Sequence, residues 1–298
     1  MHLDMNKLFE GFRKNKDYIF FLAIMPVILL IVYSLPHGIK TSYFVLNTTN
    51  PNLPSLLLSS YNHSSNEHLL GNLVVYLLLV PFILTLEKQK GRLYATLIFI
   101  FIALPIILSL LNILVIPILQ NDTGFSGIIS GLFGYYLVCV YTYFKEFRKV
   151  KTGWELFYSL VGMNLSIVTY NLQSSLNLYS SMTWAFLFSV ALTLHAMSSS
   201  LGAIKTILKL IKKDAISARH KSRIAYAELY FFAVLAFVFL FGLPIVLPEV
   251  IQVVNGAVVN TPVHYLGYVF GLVLPAFVVW TSEKKNYQAK NKNKPKQS

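Results

Sequence analysis

Apolar runs of about twenty residues recur along this 298-residue sequence and constrain its fold more than any other feature. A helix needs about twenty apolar residues to cross the hydrocarbon core of a bilayer. Hydrophobic residues make up 55% of the chain and charged residues only 12%, whereas a soluble domain carries about 25% charged residues. The sequence therefore predicts an all-α polytopic membrane protein.

Eight of these runs are candidate transmembrane spans. They lie at about residues 18–35, 67–86, 93–118, 125–144, 154–173, 179–199, 225–247 and 262–281. The fifth and sixth are the least distinct, because a short, mildly polar junction separates them. The first run lacks a small-residue cleavage site, so we interpret it as a retained helix rather than a signal peptide.

The distribution of basic residues predicts the orientation of these spans. If all eight cross the membrane, 24 of the 25 Lys and Arg residues fall on one side and only Lys40 on the other. Lys and Arg favour the cytoplasmic side, so both termini are expected to be cytoplasmic. The net charge of +13 then reflects topology and attraction to anionic lipid, and we expect no nucleic-acid partner.

The remaining segments complete the predicted organisation. Residues 1–17 form a basic cytoplasmic N-terminus ahead of a transmembrane domain at 18–281. Within that domain, 36–66 is a long outer loop and 200–224 a basic inner loop whose pattern is typical of an amphipathic surface helix. Residues 282–298 are predicted to be a disordered basic tail. A single cysteine excludes an internal disulfide, and we expect no metal and no cofactor.

Polar and small residues gather where spans two, four and eight begin. These spans open with NHSSNEHLLGN, GFSG and TPVHYLG, and all three run from the outside inward. Residues within about two turns of the outer helix ends occupy a similar shallow depth in the membrane. The side chains at this level are His63, His68, Asn72, Ser126 and His264.

Ser126 and His264 at one depth indicate acyl-transfer chemistry. A serine hydroxyl is a poor nucleophile without a base within hydrogen-bonding reach, and His264 has a suitable pKa range for that role. His68 and Asn72 lie on one helix face at i and i+4. Their N–H groups are suited to stabilise a developing oxyanion.

Glycines surround both of these residues. Gly124 and Gly127 flank the serine turn and allow a sharp start to its helix. Small residues also let two helices approach closely in lipid. Such residues follow both the serine and the histidine; they are Gly131, Gly134, Gly267 and Gly271. We therefore expect spans four and eight to be in close contact.

These stretches resemble the rhomboid family of intramembrane serine proteases. HSSNEHLLGN from His63 matches the family pattern H-x4-H-x3-N, GFSG from Gly124 matches GxSG, and HYLGYVFG from His264 matches H-x2-G-x3-G. The resemblance implies a six-helix core that cleaves transmembrane segments near the outer membrane face. It also implies substrates that are single-span or polytopic membrane proteins, and we expect the cell membrane of a prokaryote as the location.

Carried over by motif, the resemblance assigns a role to each residue. Ser126 is the expected nucleophile and His264 the expected general base. His68 and Asn72 are expected oxyanion donors, and His63 has a more structural role.

The sequence departs from the family in three places. Two extra crossings are expected between the serine and histidine helices. Ser130 stands where well-known members have a tyrosine that stacks on the histidine, so the imidazole must be supported differently. Residues 36–66 also lack the tryptophan and arginine often found in the first outer loop.

Two other functions fit the composition. A non-proteolytic binder or quality-control factor for transmembrane segments would share the fold. A transporter should show paired broken helices or an internal repeat, and the sequence shows neither. His195, near the inner end of span six, is interpreted as an interfacial histidine. Asn164, Asn171 and Glu228 are interpreted as packing hydrogen-bond partners among the inserted helices.

Overall fold

The computed structural model describes residues 16–115, 121–122, 124–175, 179–218, 253–254, 257–258 and 261–292. Most of the predicted N-terminal segment 1–17 and the whole of the predicted span at 225–247 lie outside these residues. The described part is mainly helical, which agrees with the all-α class.

The helices follow the apolar runs closely. Those before the serine are α1 (Lys16–Ile19), α2 (Met25–Tyr33), α3 (His37–Tyr43), α4 (Leu53–Leu58), α5 (Asn66–Leu86), α6 (Lys90–Ile98) and α7 (Leu104–Val115). The remaining described helices are α8 (Ser126–Thr142), α9 (Trp154–Ser175), α10 (Tyr179–Ala218) and α11 (Thr261–Lys292). A 3₁₀ turn at Ser59–Tyr61 and π-helical turns at Phe20–Ile24, Phe99–Ala103 and Tyr143–Phe147 extend or link these helices.

Four two-residue strands complete the described structure. β1 (Leu46–Asn47) pairs antiparallel with β2 (Asn121–Asp122), and β3 (Val253–Val254) pairs with β4 (Ala257–Val258). The first pair links the outer loop to the segment just before Ser126.

Five helical segments of the described chain are long and apolar enough to cross a membrane. They are Asn66–Leu86, Lys90–Leu114, Ser126–Phe147, Leu187–Leu210 and Val263–Lys284. The helices Asp17–Tyr33 and His37–Tyr43, which meet at 109°, make a sixth if they count as one broken span. The chain is thus a polytopic membrane protein, and the predicted total of eight spans stays a prediction.

Helix α8 occupies the centre of the bundle. Within its membrane-spanning stretch 94% of the residues are buried, against 28% to 44% in the other four segments. A helix that is apolar on all sides is expected to be enclosed by other helices. Helices α5, α7 and α11 surround it, so the serine at its first residue is held by the most buried of these five segments.

Glycines bring α8 and α11 into backbone contact. A Cβ atom on Gly267 would overlap the carbonyl of Gly127, and one on Gly271 would overlap the carbonyl of Gly131. In the other direction, a Cβ on Gly134 would overlap the carbonyl of Tyr268. The two helices lie so close because none of these positions carries a side chain.

Helices α9 and α10 form a second closely packed pair. The hydroxyls of Ser159 and Ser200 lie 3.1 Å apart, and a Cβ on Gly162 would touch Thr193. Asn164 is buried in this pair, and its amide nitrogen donates to the Leu160 carbonyl at 3.0 Å. The side chains of Asn171 and Glu228 lie outside the described residues.

Two predicted segments differ from the structure. Helix α10 runs unbroken for 40 residues to Ala218, where a separate amphipathic helix at 200–224 was expected. Gly202 alone does not end it, because one glycine costs only about 1 kcal/mol in a helix. Helix α11 continues to Lys292, so residues 282–292 are helical where disorder was expected. Their sequence contains Glu, Lys, Gln and Ala, which favour helix.

Charged side chains meet at the end of the bundle opposite Ser126. Arg92 donates to the two carboxylate oxygens of Glu87 at 2.6 and 2.9 Å, and to Glu146 at 3.1 Å. The hydroxyl of Tyr135 also donates to Glu87 at 3.2 Å. We call Glu87, Arg92 and Glu146 the Arg92 cluster. It ties the end of α5 to the start of α6 and the end of α8.

Replacing Gly271 with alanine tests the contact between α8 and α11. The added methyl group forces the two backbones apart, and we expect a loss of about 1–3 kcal/mol in the free energy of unfolding. Unfolding in detergent measures this loss. Gly71→Ala is the matched control, because nothing lies within 4 Å of that methyl position. Equal effects of both substitutions would contradict the close contact.

Replacing Arg92 with alanine tests the buried cluster. Glu87 is only 1% exposed, so removal of its cation should cost about 3–5 kcal/mol of unfolding free energy. Lys90→Ala removes a half-exposed ion pair with Asp17 and should cost less than about 1 kcal/mol. Denaturant titration of the two variants in micelles compares them, and similar midpoints would refute the assignment.

Candidate active site

The turn before Ser126 requires glycine for two reasons. Gly124 has φ +146°, a backbone conformation that side-chain-bearing residues rarely adopt. A Cβ at this position would also lie 3.0 Å from His68 Cε1 and 3.5 Å from Ser126 Oγ. The ring of His68 therefore lies directly beside the serine turn.

The outer loop fixes this turn from the other side. The backbone N–H of Gly124 donates to the carbonyl of Ser59 at 3.2 Å. Leu46 and Asn47 pair with Asp122 and Asn121 two residues further back. The loop at 36–66 therefore holds the start of α8 through main-chain hydrogen bonds, although it lacks tryptophan and arginine.

Phe125, between Gly124 and the serine, anchors the turn in the core. Its fully buried ring lies 5.7 Å from the ring centres of Tyr61 and Tyr76 and 6.2 Å from that of Phe101. Phe21 joins this group through a stacked contact with Phe101 at 5.9 Å. We call these five residues the aromatic cluster. Sequence reasoning missed Phe125, and its only signal was a large aromatic residue within an otherwise small and polar turn.

Two tyrosine hydroxyls attach the aromatic cluster to neighbouring helices. The Tyr76 hydroxyl donates to the Phe21 carbonyl at 2.8 Å, and the Tyr61 hydroxyl donates to the Phe101 carbonyl. Both carbonyls belong to π-helical turns that run into Pro26 and Pro105. Proline has no N–H to donate, so each turn leaves a carbonyl that needs another partner.

Ser126 and His264 are brought together across 138 positions of sequence. Ser126 Oγ lies 2.6 Å from His264 Nε2. His264 lies in the first turn of α11 and is 7% exposed. The distance is suited to a hydrogen bond in which the hydroxyl donates and the imidazole nitrogen accepts. Because Ser126 is the first residue of α8, its backbone N–H has no acceptor within the helix.

His63, His68 and Asn72 form a group beside this pair. The Asn72 amide nitrogen lies 2.9 Å from His63 Nε2, and the rings of His63 and His68 meet edge to face at 5.1 Å. Asn72 uses one amide N–H on His63 and keeps a second. The two histidines thus lie beside the serine turn, and His68 is the closer of the two to Ser126.

Ser130, where the sequence departs from the rhomboid pattern, has a defined contact in the structure. Ser130 is fully buried, and its hydroxyl donates to the Ser126 carbonyl at 2.9 Å. It therefore stabilises the first turn of α8.

His195 is exposed on α10, where its carbonyl accepts hydrogen bonds from Ser198 and Ser199. It takes no part in the group around Ser126.

Metal binding has no side-chain basis in the part of the chain that the structure describes. No three His, Cys, Asp or Glu side chains come together there as a metal ion would need.

Taken together, the apolar helices define an integral membrane protein, and the part-buried serine–histidine pair lies at one end of its helix bundle. A family model described as Rhomboid domain matches residues 51–185, so this part of the chain is similar to the rhomboid family. The matched range contains Ser126, His63, His68 and Asn72 and ends before His264. A search of curated proteins and a search of solved structures each found no match.

Burial of His63 predicts how stability depends on pH. Loss of hydration lowers the pKa of His63 to about 3, and the charge of His68 adds to the effect. The unfolded chain has a histidine pKa near 6.5. Below pH 6.5 the unfolded state therefore binds a proton that the folded state does not, so stability falls as the pH falls.

His63→Gln should flatten this dependence. We expect the unfolding temperature in detergent to drop less between pH 7 and pH 5 in this variant than in wild type, whatever its value at pH 7. His37→Gln, at an exposed position on α3, should follow the wild-type slope. Parallel curves for His63→Gln and wild type would show that His63 does not govern the slope.

Proposed function

We propose that this protein is a serine endopeptidase that cleaves transmembrane segments of membrane proteins within the bilayer. The observation that carries the proposal is the 2.6 Å distance from Ser126 Oγ to His264 Nε2. The rhomboid domain at 51–185 supports it, because that domain indicates the intramembrane protease family. The substrates are single-span or polytopic membrane proteins.

The reaction begins at the hydroxyl of Ser126. As its oxygen attacks the scissile carbonyl carbon, the hydroxyl proton moves to His264 Nε2. The carbonyl oxygen becomes an oxyanion in the tetrahedral intermediate. The donors that we propose to stabilise it are an N–H of His68, the second amide N–H of Asn72 and the backbone N–H of Ser126.

His264 completes both halves of the reaction. The imidazolium gives its proton to the leaving amine as the peptide bond breaks, which leaves an acyl group on Ser126. A water molecule then attacks the ester while His264 accepts its proton. The proton returns to the serine oxygen as the acid product leaves, so serine and neutral imidazole are restored.

The proposed orientation places this chemistry near the outer membrane face. Ser126 and His264 lie at the first turns of α8 and α11, and the Arg92 cluster and Lys145 lie at the opposite ends of the same bundle. Basic residues favour the cytoplasmic side, so both termini are cytoplasmic in this proposal. The location is the cell membrane of a prokaryote.

Substrate recognition follows from the depth of the site. A transmembrane helix keeps its carbonyls in intrahelical hydrogen bonds, so it must unwind locally before Ser126 can reach one. Small or helix-breaking residues lower the cost of that unwinding. We therefore expect cleavage near such residues, in the outer part of the substrate segment.

A cleavage assay tests the proposal. Purified protein in detergent is incubated with a labelled single-span substrate that has glycine in its outer third. Ser126→Ala and His264→Ala should each reduce the rate at least 10³-fold, because the nucleophile or its base is lost. His68→Ala and Asn72→Ala should reduce it by about 10²-fold, the usual effect of one oxyanion donor. His195→Ala is the control and should retain wild-type activity.

A serine-directed phosphonate gives an independent measurement. It should label wild-type protein and fail to label Ser126→Ala. If wild type, Ser126→Ala and His264→Ala behave alike in both assays, the protease proposal is wrong. Binding of the substrate segment by all three without cleavage would instead identify a non-proteolytic binder.

A further inference from the structure

A cavity lies at the end of the bundle opposite Ser126. It has a volume of about 670 Å³ and opens between the ends of α5, α8 and α11. Leu86, Phe147 and Val279 contribute apolar walls, and lysines lie at its margin. The cavity therefore combines an apolar interior with a cationic rim.

Most of the charges around this cavity are already compensated. Arg92 is paired with Glu87 and Glu146, and Lys145 lies 2.7 Å from a carboxylate oxygen of Glu283. These pairs account for the acidic side chains that line the cavity. They leave no carboxylate for the other two lysines there.

Lys88 and Lys149 are those two lysines. Neither has an acidic partner among the described residues. The ammonium of Lys88 instead lies over the rings of Phe147, at 5.0 Å, and Tyr143, at 5.9 Å. Lys149 lies where the chain turns back after α8, with φ +55°. Aromatic faces hold the Lys88 cation without neutralising it, so the rim keeps a surplus of positive charge.

We propose that this cavity binds an anionic phospholipid, with the phosphate against Lys88 and Lys149 and an acyl chain along the apolar walls. Two features favour a lipid over a free phosphate ion. The apolar walls offer a small ion nothing, whereas an acyl chain gains from leaving the detergent or lipid boundary for a shaped groove. Basic pockets between transmembrane helices on the cytoplasmic side are suited to lipid headgroups.

The inference is independent of the proposed protease activity. The cavity and the serine are separated by α8 and the π-helical turn that extends it to Glu146, about 30 Å at 1.5 Å per residue. Binding can therefore be measured without any substrate. A failure of the protease assay leaves this test unaffected, and the converse also holds.

Titration of delipidated protein with labelled lipid tests the proposal. Fluorescent phosphatidylglycerol and phosphatidylcholine are added separately to wild type and to the double variant Lys88→Ala/Lys149→Ala, in the same neutral detergent. Wild type should prefer phosphatidylglycerol. Each lysine contributes about fivefold near an anionic surface, so the double variant should bind phosphatidylglycerol about 25-fold more weakly. Its affinity for phosphatidylcholine should be unchanged.

Three controls make the result specific. Lys151→Ala removes an exposed lysine two residues from Lys149 that does not line the cavity, and it should bind like wild type. Lys88→Arg/Lys149→Arg keeps both charges and should bind within about threefold of wild type. Soluble glycerol phosphate should compete only weakly, because it lacks the acyl chain. Unfolding temperatures without lipid show whether each variant is folded.

Several results would overturn the proposal. These are equal binding of the two lipids by wild type, an unchanged preference in the double variant, or a loss in Lys151→Ala as large as that in the double variant. Competition by glycerol phosphate as strong as that by phosphatidylglycerol would show a free phosphate site instead. If the double variant does not fold, loss of phosphatidylglycerol preference in the single variants Lys88→Gln and Lys149→Gln decides, and its retention refutes the proposal.

Discussion

Backbone contact between α8 and α11 is the constraint on which the rest of the structure depends. In a membrane no hydrophobic effect drives helices together, so they associate through close packing. Gly134 and Gly271 supply that packing, because a Cβ atom at either position would overlap the backbone of the other helix. The contact sets the two helices in register, and their first turns then present Ser126 and His264 to each other at 2.6 Å. The hydrogen bond between Ser126 and His264 thus depends on the glycines further along the same two helices.

The second requirement is a rigid start for α8, and it is met by packing against the rest of the bundle. Phe125 is buried in the aromatic cluster, while the N–H of Gly124 bonds to the outer loop. Because Tyr61 and Tyr76 bond to carbonyls in two π-helical turns, irregularities in other helices become attachment points for the serine turn. Large aromatic side chains in the core therefore fix the position of the serine turn, as a disulfide or a metal ion fixes loops in small soluble proteins.

Much of this arrangement was predictable from the sequence, and the rest has identifiable physical reasons. Apolar run length predicted α5, α8 and the start of α11 to within a few residues, and helix depth placed Ser126 and His264 at one level. The aromatic cluster around Phe125 was not predictable, because its members come from five separate stretches whose meeting depends on tertiary packing. Arg92 was interpreted only as a topology signal, since a charge count does not distinguish an exposed arginine from one paired with Glu87. The continuation of α10 beyond residue 200 was missed for a related reason. An amphipathic pattern does not show whether the segment continues the preceding helix or forms a separate helix.

That continuation has a geometric consequence. Forty residues at 1.5 Å each make α10 about 60 Å long, roughly twice the thickness of the hydrocarbon core. A straight rod of this length would need a tilt of about 60° to stay within the core, well outside the usual 0–40°. Part of α10 therefore extends beyond the hydrocarbon core. The portion after Leu210 lies beyond the apolar segment Leu187–Leu210 and carries Lys212 and Lys213, so it adds positive charge at the end of this long helix.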